Sequence, residues 1–195
     1  MNKMISDYEL IMRFIKGEQL CFEQLIHRHK NKVFAYISLY VRDQALAEDI
    51  FQDTFLKVIQ SVKTGKYCDN GKFISWVMRI AHNLIIDHFR RLKQMNTISN
   101  DNYESDIFNS KRFAEDNIED DMIKRQIQKD VRRMISHLPD DQKEVVILRH
   151  YAGLSFKEIA DITNVSINTA LGRMRYALIN MRKIMEEKKI SLTII

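Results

Sequence analysis

GLSFKEIADITNVSINTALGRMRYALINMRK, residues Gly153–Lys183, carries the densest local signals in the chain. Gly153 can end a preceding helix in the left-handed conformation, which costs glycine no steric clash. Ser155 stands three residues before Glu158, the spacing at which a hydroxyl and a carboxylate cap one helix start reciprocally. A short helix is expected from Phe156 to Ile162. Thr163-Asn164-Val165 then makes a tight turn, because Asn tolerates positive φ better than most residues. Ser166 caps the next helix. Ala160 is small where two crossing helices must approach, with Ala170 facing it. The outcome is a helix-turn-helix.

The second helix sorts by angle. Ile167, Leu171, Met174, Leu178, Met181 and Met185 recur at spacings of four and three and are expected to form the core stripe. At 100° per residue the opposite face carries Asn168, Thr169, Gly172, Arg173, Tyr176, Asn180 and Lys183. Donors, acceptors and positive charge are what reading a DNA major groove requires. Gly172 would let the helix approach a base edge or phosphate closely. The candidate duplex contacts are Asn168, Thr169, Gly172, Arg173 and Tyr176. An ordinary helical hairpin with a solvated face is the simpler alternative; two caps, a short first helix and a polar-basic face together favour DNA. A helix-turn-helix does not by itself fix function.

The rest of the chain is also helical in pattern. It has 195 residues, 45% of them apolar, with five glycines and one proline. So few breakers argue against a loop-rich or all-β fold. Helices are expected near 7–16, 18–41, 43–63 and 72–93, then near 119–137, 139–151, 155–162 and 166–187. Pro139 opens the second of the later group, since a first helical turn tolerates its missing N–H. Charge divides the same way: residues 1–92 carry a net +4, residues 93–121 a net −5 and residues 122–195 a net +6. Asn, Ser and Asp fill the acidic stretch and favour turns over helix interiors. The expected fold is all-α, with two small helical domains, 1–93 and 119–195, joined by a flexible acidic linker over 94–118. Basic lobes favour polyanions through counterion release.

Several classes are disfavoured. Cys21 and Cys68 form neither a disulfide framework nor a metal-ligand set, and suit a reducing cytosol. No apolar run reaches the ~20 residues of a membrane span, and the N-terminus lacks a signal-peptide core; a cytoplasmic protein without membrane insertion is expected. There is no phosphate-binding glycine loop. The His27-x-His29 and Asp87-His88 pairs do not share a helix face, so neither a metal nor another cofactor is expected.

Three stretches together resemble one family. LPDDQKEVVILRHYAGLSFKEIADITNVSINTALGRMRYALINMRK looks like the minus-thirty-five-reading domain of extracytoplasmic-function (ECF) sigma factors. DQALAEDIFQDTFLKVIQ resembles their polymerase-clamp-binding helix, and KFISWVMRIAHNLIIDHFRR their minus-ten-binding helix. The resemblance spans nearly the whole chain apart from the linker and the last residues. Many members carry a charged or polar residue at Leu171 and Ser at Gly172, where this sequence departs. The resemblance implies a non-enzymatic factor that binds core RNA polymerase through its β′ clamp and β flap, recognises promoter DNA and promotes its melting. It also implies control by an anti-sigma protein.

Residue roles follow from that resemblance. On the helix from Asp43 to Lys63, Leu46, Phe51, Phe55, Val58, Ile59 and Val62 are expected in the core. Asp49, Gln52, Asp53 and Leu56 lie on the other side, an apolar anchor with a polar rim, and correspond to clamp-docking residues. On the helix from Lys72 to Lys93, Phe73, Val77, Ile80, Ala81, Leu84 and His88 are expected inward. Lys72, Ser75, Trp76, Arg79, His82, Asn83, Ile86 and Arg90 lie towards the other side, interleaving charge and aromatic surface as single-strand capture needs. Trp76 is the exception: a lone Trp in a helical domain is more often core. Tyr67 and Asn70 correspond to the loop that pockets a flipped base. The minus-ten candidates are therefore Tyr67, Asn70, Lys72, Arg79, His82, Asn83 and Arg90. A stand-alone helix-turn-helix regulator would leave the acidic-apolar patch and the basic-aromatic helix unexplained; a recombinase would need a nucleophilic Ser or Tyr amid clustered Arg, which the sequence does not offer.

Overall fold

A computed structural model describes residues 5–41, 43–67, 71–96 and 130–188, with side chains to residue 94 in the third stretch. All regular structure among these residues is α-helical. The chain divides into two compact units, Met1–Ile107 and Phe108–Ile195. Most of the expected linker lies outside the described residues.

In the first unit, α1 (Asp7–Ile15) starts where the Ser6 hydroxyl accepts from the Glu9 amide, and ends before Gly17, at φ 105°. It buries Leu10, Ile11 and Phe14. α2 (Gln19–Val41) packs against the other three helices of this unit and buries a stripe of Leu25, His29, Val33, Tyr36 and Ile37. α3 (Gln44–Lys63) is capped by Asp43, whose carboxylate accepts from the Leu46 amide at 2.7 Å. α4 (Phe73–Asn96) runs past the expected end at Lys93.

The faces of α3 and α4 are rotated from expectation. On α3 the buried residues are Ala47, Ile50, Thr54, Phe55, Val58 and Val62, while Leu46, Phe51 and Ile59 are only half-buried. Thr54 satisfies its own hydroxyl by donating to the Ile50 carbonyl at 2.7 Å. On α4, Phe73, Ser75, Val77, Met78, Ala81 and Ile85 are buried, and Ile80, Leu84 and His88 sit at the margin. Ser75, assigned to the open face, is thus inside: its small side chain lets the helix pack closely.

A polar clasp joins α1 to α2. Asp7 accepts from Arg28 and lies 2.8 Å from His29 Nε2. The Arg28 guanidinium also donates to the Ile5 carbonyl at 2.8 Å. His29 is 7% exposed and its Nδ1 is buried without a hydrogen-bond partner, so the neutral ring donating from Nε2 is the form that fits. No group of metal-ligating side chains gathers among the described residues.

The second unit contains α5, described over residues 130–136, then α6 (Asp140–His150), α7 (Phe156–Thr163) and α8 (Ile167–Glu187). Pro139 is the N-cap of α6 rather than its first helical residue; its ψ of 147° is extended. Val145, Val146, Ile147 and Leu148 of α6 are buried and pack towards α7 and α8. Arg149 ties the end of α6 to the start of α7, donating to the Leu154 carbonyl at 2.8 Å with its guanidinium 5.2 Å from the Phe156 ring centroid.

Burial pushes the His29 imidazole below its ordinary 6.5, outweighing the opposite pull of Asp7. Below pH 6.5 the unfolded chain therefore binds more protons than the folded one. Stability from this site is full above that pH and is lost as pH falls towards the lower folded value. The urea midpoint is expected to drop between about pH 7.5 and about pH 5.5, and His29→Gln, which keeps a donor for Asp7 but does not titrate, should flatten that dependence. An identical slope in protein and variant would remove His29 as the cause.

Candidate functional site

The helix-turn-helix forms with the local chemistry expected. Gly153 has φ 75°. The Ser155 hydroxyl accepts from the Glu158 amide, and the Glu158 carboxylate accepts from the Ser155 amide at 2.9 Å, completing the reciprocal cap. Asn164 takes the left-handed conformation, φ 56° and ψ 46°. Ser166 caps α8, accepting from the Thr169 amide at 3.0 Å.

α8, however, turns a different face to the core. Its buried residues are Ala170, Met174 and Ala177. Ile167, Leu171 and Leu178 are 45%, 44% and 44% exposed. The stripe of large apolar residues is rotated outward by roughly 50°, half the angle between successive residues. Small side chains bring α8 close to its neighbours, and the larger residues flank the seam.

That rotation redistributes the polar residues. Asn168 and Thr169 are exposed, and Tyr176 is 62% exposed. Gly172 borders open space; a Cβ there would meet nothing within 4 Å, so internal packing does not require glycine. Arg173 is drawn back, with Nε 3.3 Å from Asp141 Oδ2 of α6. Asn180 donates to Gln142 of α6 at 2.8 Å and so serves packing. Arg175, which the sequence reading omitted, is exposed, as is Arg182. Centring the helical wheel on the alanines would have found both.

On the first unit, Lys72 just before α4 and Arg79, Asn83 and Arg90 along it are exposed. Arg90 forms a surface pair with Asp87 at 3.3 Å. His82 is half-buried, its Nδ1 3.1 Å from the Tyr36 hydroxyl, so it anchors α4 to α2. Tyr67 and Trp76 pack as a tilted pair with ring centroids 4.4 Å apart, and Phe73 meets Tyr67 edge-on at 6.0 Å. Trp76 is half-buried in this cluster, partly in the core and partly facing out. Asn70 lies outside the described residues. On α3, Asp49, Gln52 and Asp53 are exposed and Leu56 is 55% exposed. Asp49 and Asp53 also line a shallow cleft with Leu84, His88 and Arg91 of α4.

The described residues include no helix long and apolar enough to cross a membrane. From packing, Trp76→Ala is expected to destabilise the first unit by about 2 kcal/mol, below the cost of a fully buried aromatic. Arg79→Ala and Asn83→Ala should stay within about 0.5 kcal/mol. Denaturant titration of each variant checks the ordering.

The chain matches known proteins along most of its length. Residues 25–94 match the family described as Sigma-70 region 2, and residues 128–175 match Sigma-70, region 4. The RNA polymerase sigma factor CarQ of Myxococcus xanthus is 31% identical over 90% of this chain and 95% of its own length. The ECF RNA polymerase sigma-E factor of Haemophilus influenzae is 27% identical over 89% of this chain and 92% of its own. The sigma factor RpoE, solved in complex with the anti-sigma factor NepR from Bartonella quintana, shares the fold with a TM-score of 0.69 at 19% identity, covering 85% of this chain and 96% of that one. With both family matches and relatives covered over nine-tenths of their length, the chain belongs to the ECF subfamily of RNA polymerase sigma factors.

Proposed function

We propose that this chain divides promoter recognition between its two units. As an ECF sigma factor it binds core RNA polymerase, recognises promoter elements and promotes promoter melting. The observation that carries the division is the pair of outward faces: a polar-basic face on a doubly capped helix-turn-helix, and a basic-aromatic face on α4.

In this reading α8 enters the duplex major groove at the minus-thirty-five element with Asn168, Thr169 and Tyr176, and Gly172 admits the backbone closely. Arg175 joins them because it is exposed on the same side of the helix. Arg173, held by Asp141, serves phosphate more readily than a base. α4 receives the separated minus-ten strand along Lys72, Arg79, Asn83 and Arg90, with Tyr67, Asn70 and the Trp76 cluster near the base pocket. His82 contributes by fixing α4 on Tyr36. Asp49, Gln52, Asp53 and Leu56 dock the polymerase clamp. Binding the open strand better than the duplex shifts the melting equilibrium without any covalent step; the polymerase performs the phosphoryl transfer, and the chain itself is no enzyme. An anti-sigma protein, such as RpoE's partner NepR, is the regulatory partner class.

Charge reversal by Asp49→Lys with Asp53→Lys is expected to weaken binding to core polymerase about tenfold. Folding stability should change by no more than about 0.5 kcal/mol because both sites are exposed. Unchanged affinity in a fluorescence titration with core polymerase would exclude the patch. Arg175→Ala should cost promoter-duplex binding about 1–3 kcal/mol and relax specificity at one position. Arg173→Ala should weaken all sequences alike and lower the salt slope by about one. An Arg175→Ala variant with unaltered affinity for every duplex would place that residue outside the interface.

A further inference from the structure

We infer that Leu171 is a specificity-determining residue that reads the 5-methyl group of a thymine in the duplex element bound by α8. The inference rests on the promoter-reading role proposed above and names one base contact within it. Leu171 is 44% exposed, and the seam beneath it is already filled by Ala170, Met174 and Ala177. Its side chain is therefore available for something other than the core. A single exposed leucine needs no explanation in general, but this one sits between two exposed base-reading side-chain types. Asn168 precedes it by three residues and Arg175 follows by four. At 100° per residue both lie within about 60° of it around the helix.

Position along α8 decides which exposed apolar residue can reach the base edges, because the N-terminal residues of the second helix of a helix-turn-helix make those contacts. Leu171 is the fifth residue of α8 and falls between Asn168 and Arg175. Leu178, the twelfth, lies about 10 Å further along the axis. Ile167, the first and also exposed, is turned about 40° nearer the buried seam. Within the groove, Asn pairs with adenine, Arg pairs with guanine, and the thymine methyl is the one apolar group presented by a base edge. Leu171 is the apolar side chain matched to it. The exposed cations Arg175, Arg182 and Lys183 on the same helix favour a polyanion as the occupant of this face.

The test uses the full chain bound to core polymerase. A randomised promoter duplex pool is first selected for binding. Each thymine of the enriched minus-thirty-five element is then replaced, one at a time, by deoxyuridine, which removes only the methyl. The protein should lose about fourfold in affinity at one thymine, the effect of burying one methyl-sized group. Leu171→Ala should bind the unmodified element about fourfold more weakly and be indifferent to deoxyuridine at that same position. Because Leu171 is exposed, this variant keeps its melting temperature, which circular dichroism verifies. If every deoxyuridine element binds as well as its parent, or if Leu171→Ala keeps the full methyl sensitivity, Leu171 is not the reader and the inference fails while the promoter role stands. If Leu171→Ala leaves DNA binding untouched but abolishes binding of a protein partner, the exposed stripe belongs to that partner and the inference fails equally. A selection that enriches no duplex sequence at all overturns the promoter role itself.

Discussion

Close approach of helices through small side chains sets which residues this protein turns outward. Ala47 and Thr54 on α3, Ser75 and Ala81 on α4, Ala160 on α7, and Ala170 and Ala177 on α8 are all buried. A helix that meets its neighbour through alanine can approach towards the short end of the usual 8–10 Å interaxial range. Its larger apolar residues then flank the contact instead of filling it. On α8 this places Leu171 and Leu178 half in solvent; on α3 it leaves Leu46, Phe51 and Ile59 at the margin. The outward faces on which DNA and polymerase binding are proposed are the complement of these alanine seams.

This explains what the sequence disclosed and what it withheld. The caps, the left-handed Asn164 and the Gly153 stop were legible because each depends on one or two side chains acting on their own backbone. Helix number and order were legible because few glycines and one proline interrupt the pattern. The angular position of each face was not. A helical wheel weighted by hydrophobicity follows Ile167, Leu171 and Leu178, whereas packing follows volume and favoured Ala170 and Ala177. The resulting error of about half a residue's turn hid Arg175 and misplaced Leu171.

Polar groups between elements were equally illegible, because their partners are distant in sequence. Arg173 looked free on its own helix, yet Asp141 of α6 claims it. His82 looked like part of the open α4 face, yet Tyr36 of α2 holds it at 3.1 Å. Asp140 and Asp141 stand in the first turn of α6, where acids complement the positive end of a helix. They do more: Asp140 pairs with Lys143 at 3.0 Å and Asp141 orients Arg173. Acids placed for a helix dipole thus also settle which cations on the neighbouring helix remain free for a ligand.

That allocation bears on how binding energy is used. An arginine already fixed by a carboxylate must give up or share that pair to meet phosphate, so part of its attraction is offset. A cation exposed without such a hold contributes fully, but must lose rotamer freedom when it binds. Arg173 is of the first kind and Arg175 of the second. The first arrangement favours orientation, and the second favours affinity that depends on finding the right base. The same contrast holds in the first unit, where His82 fixes the position of α4 while Arg79 and Asn83 remain exposed beside it. On the faces proposed to read DNA, held residues would set the geometry and exposed ones would be left to distinguish one sequence from another.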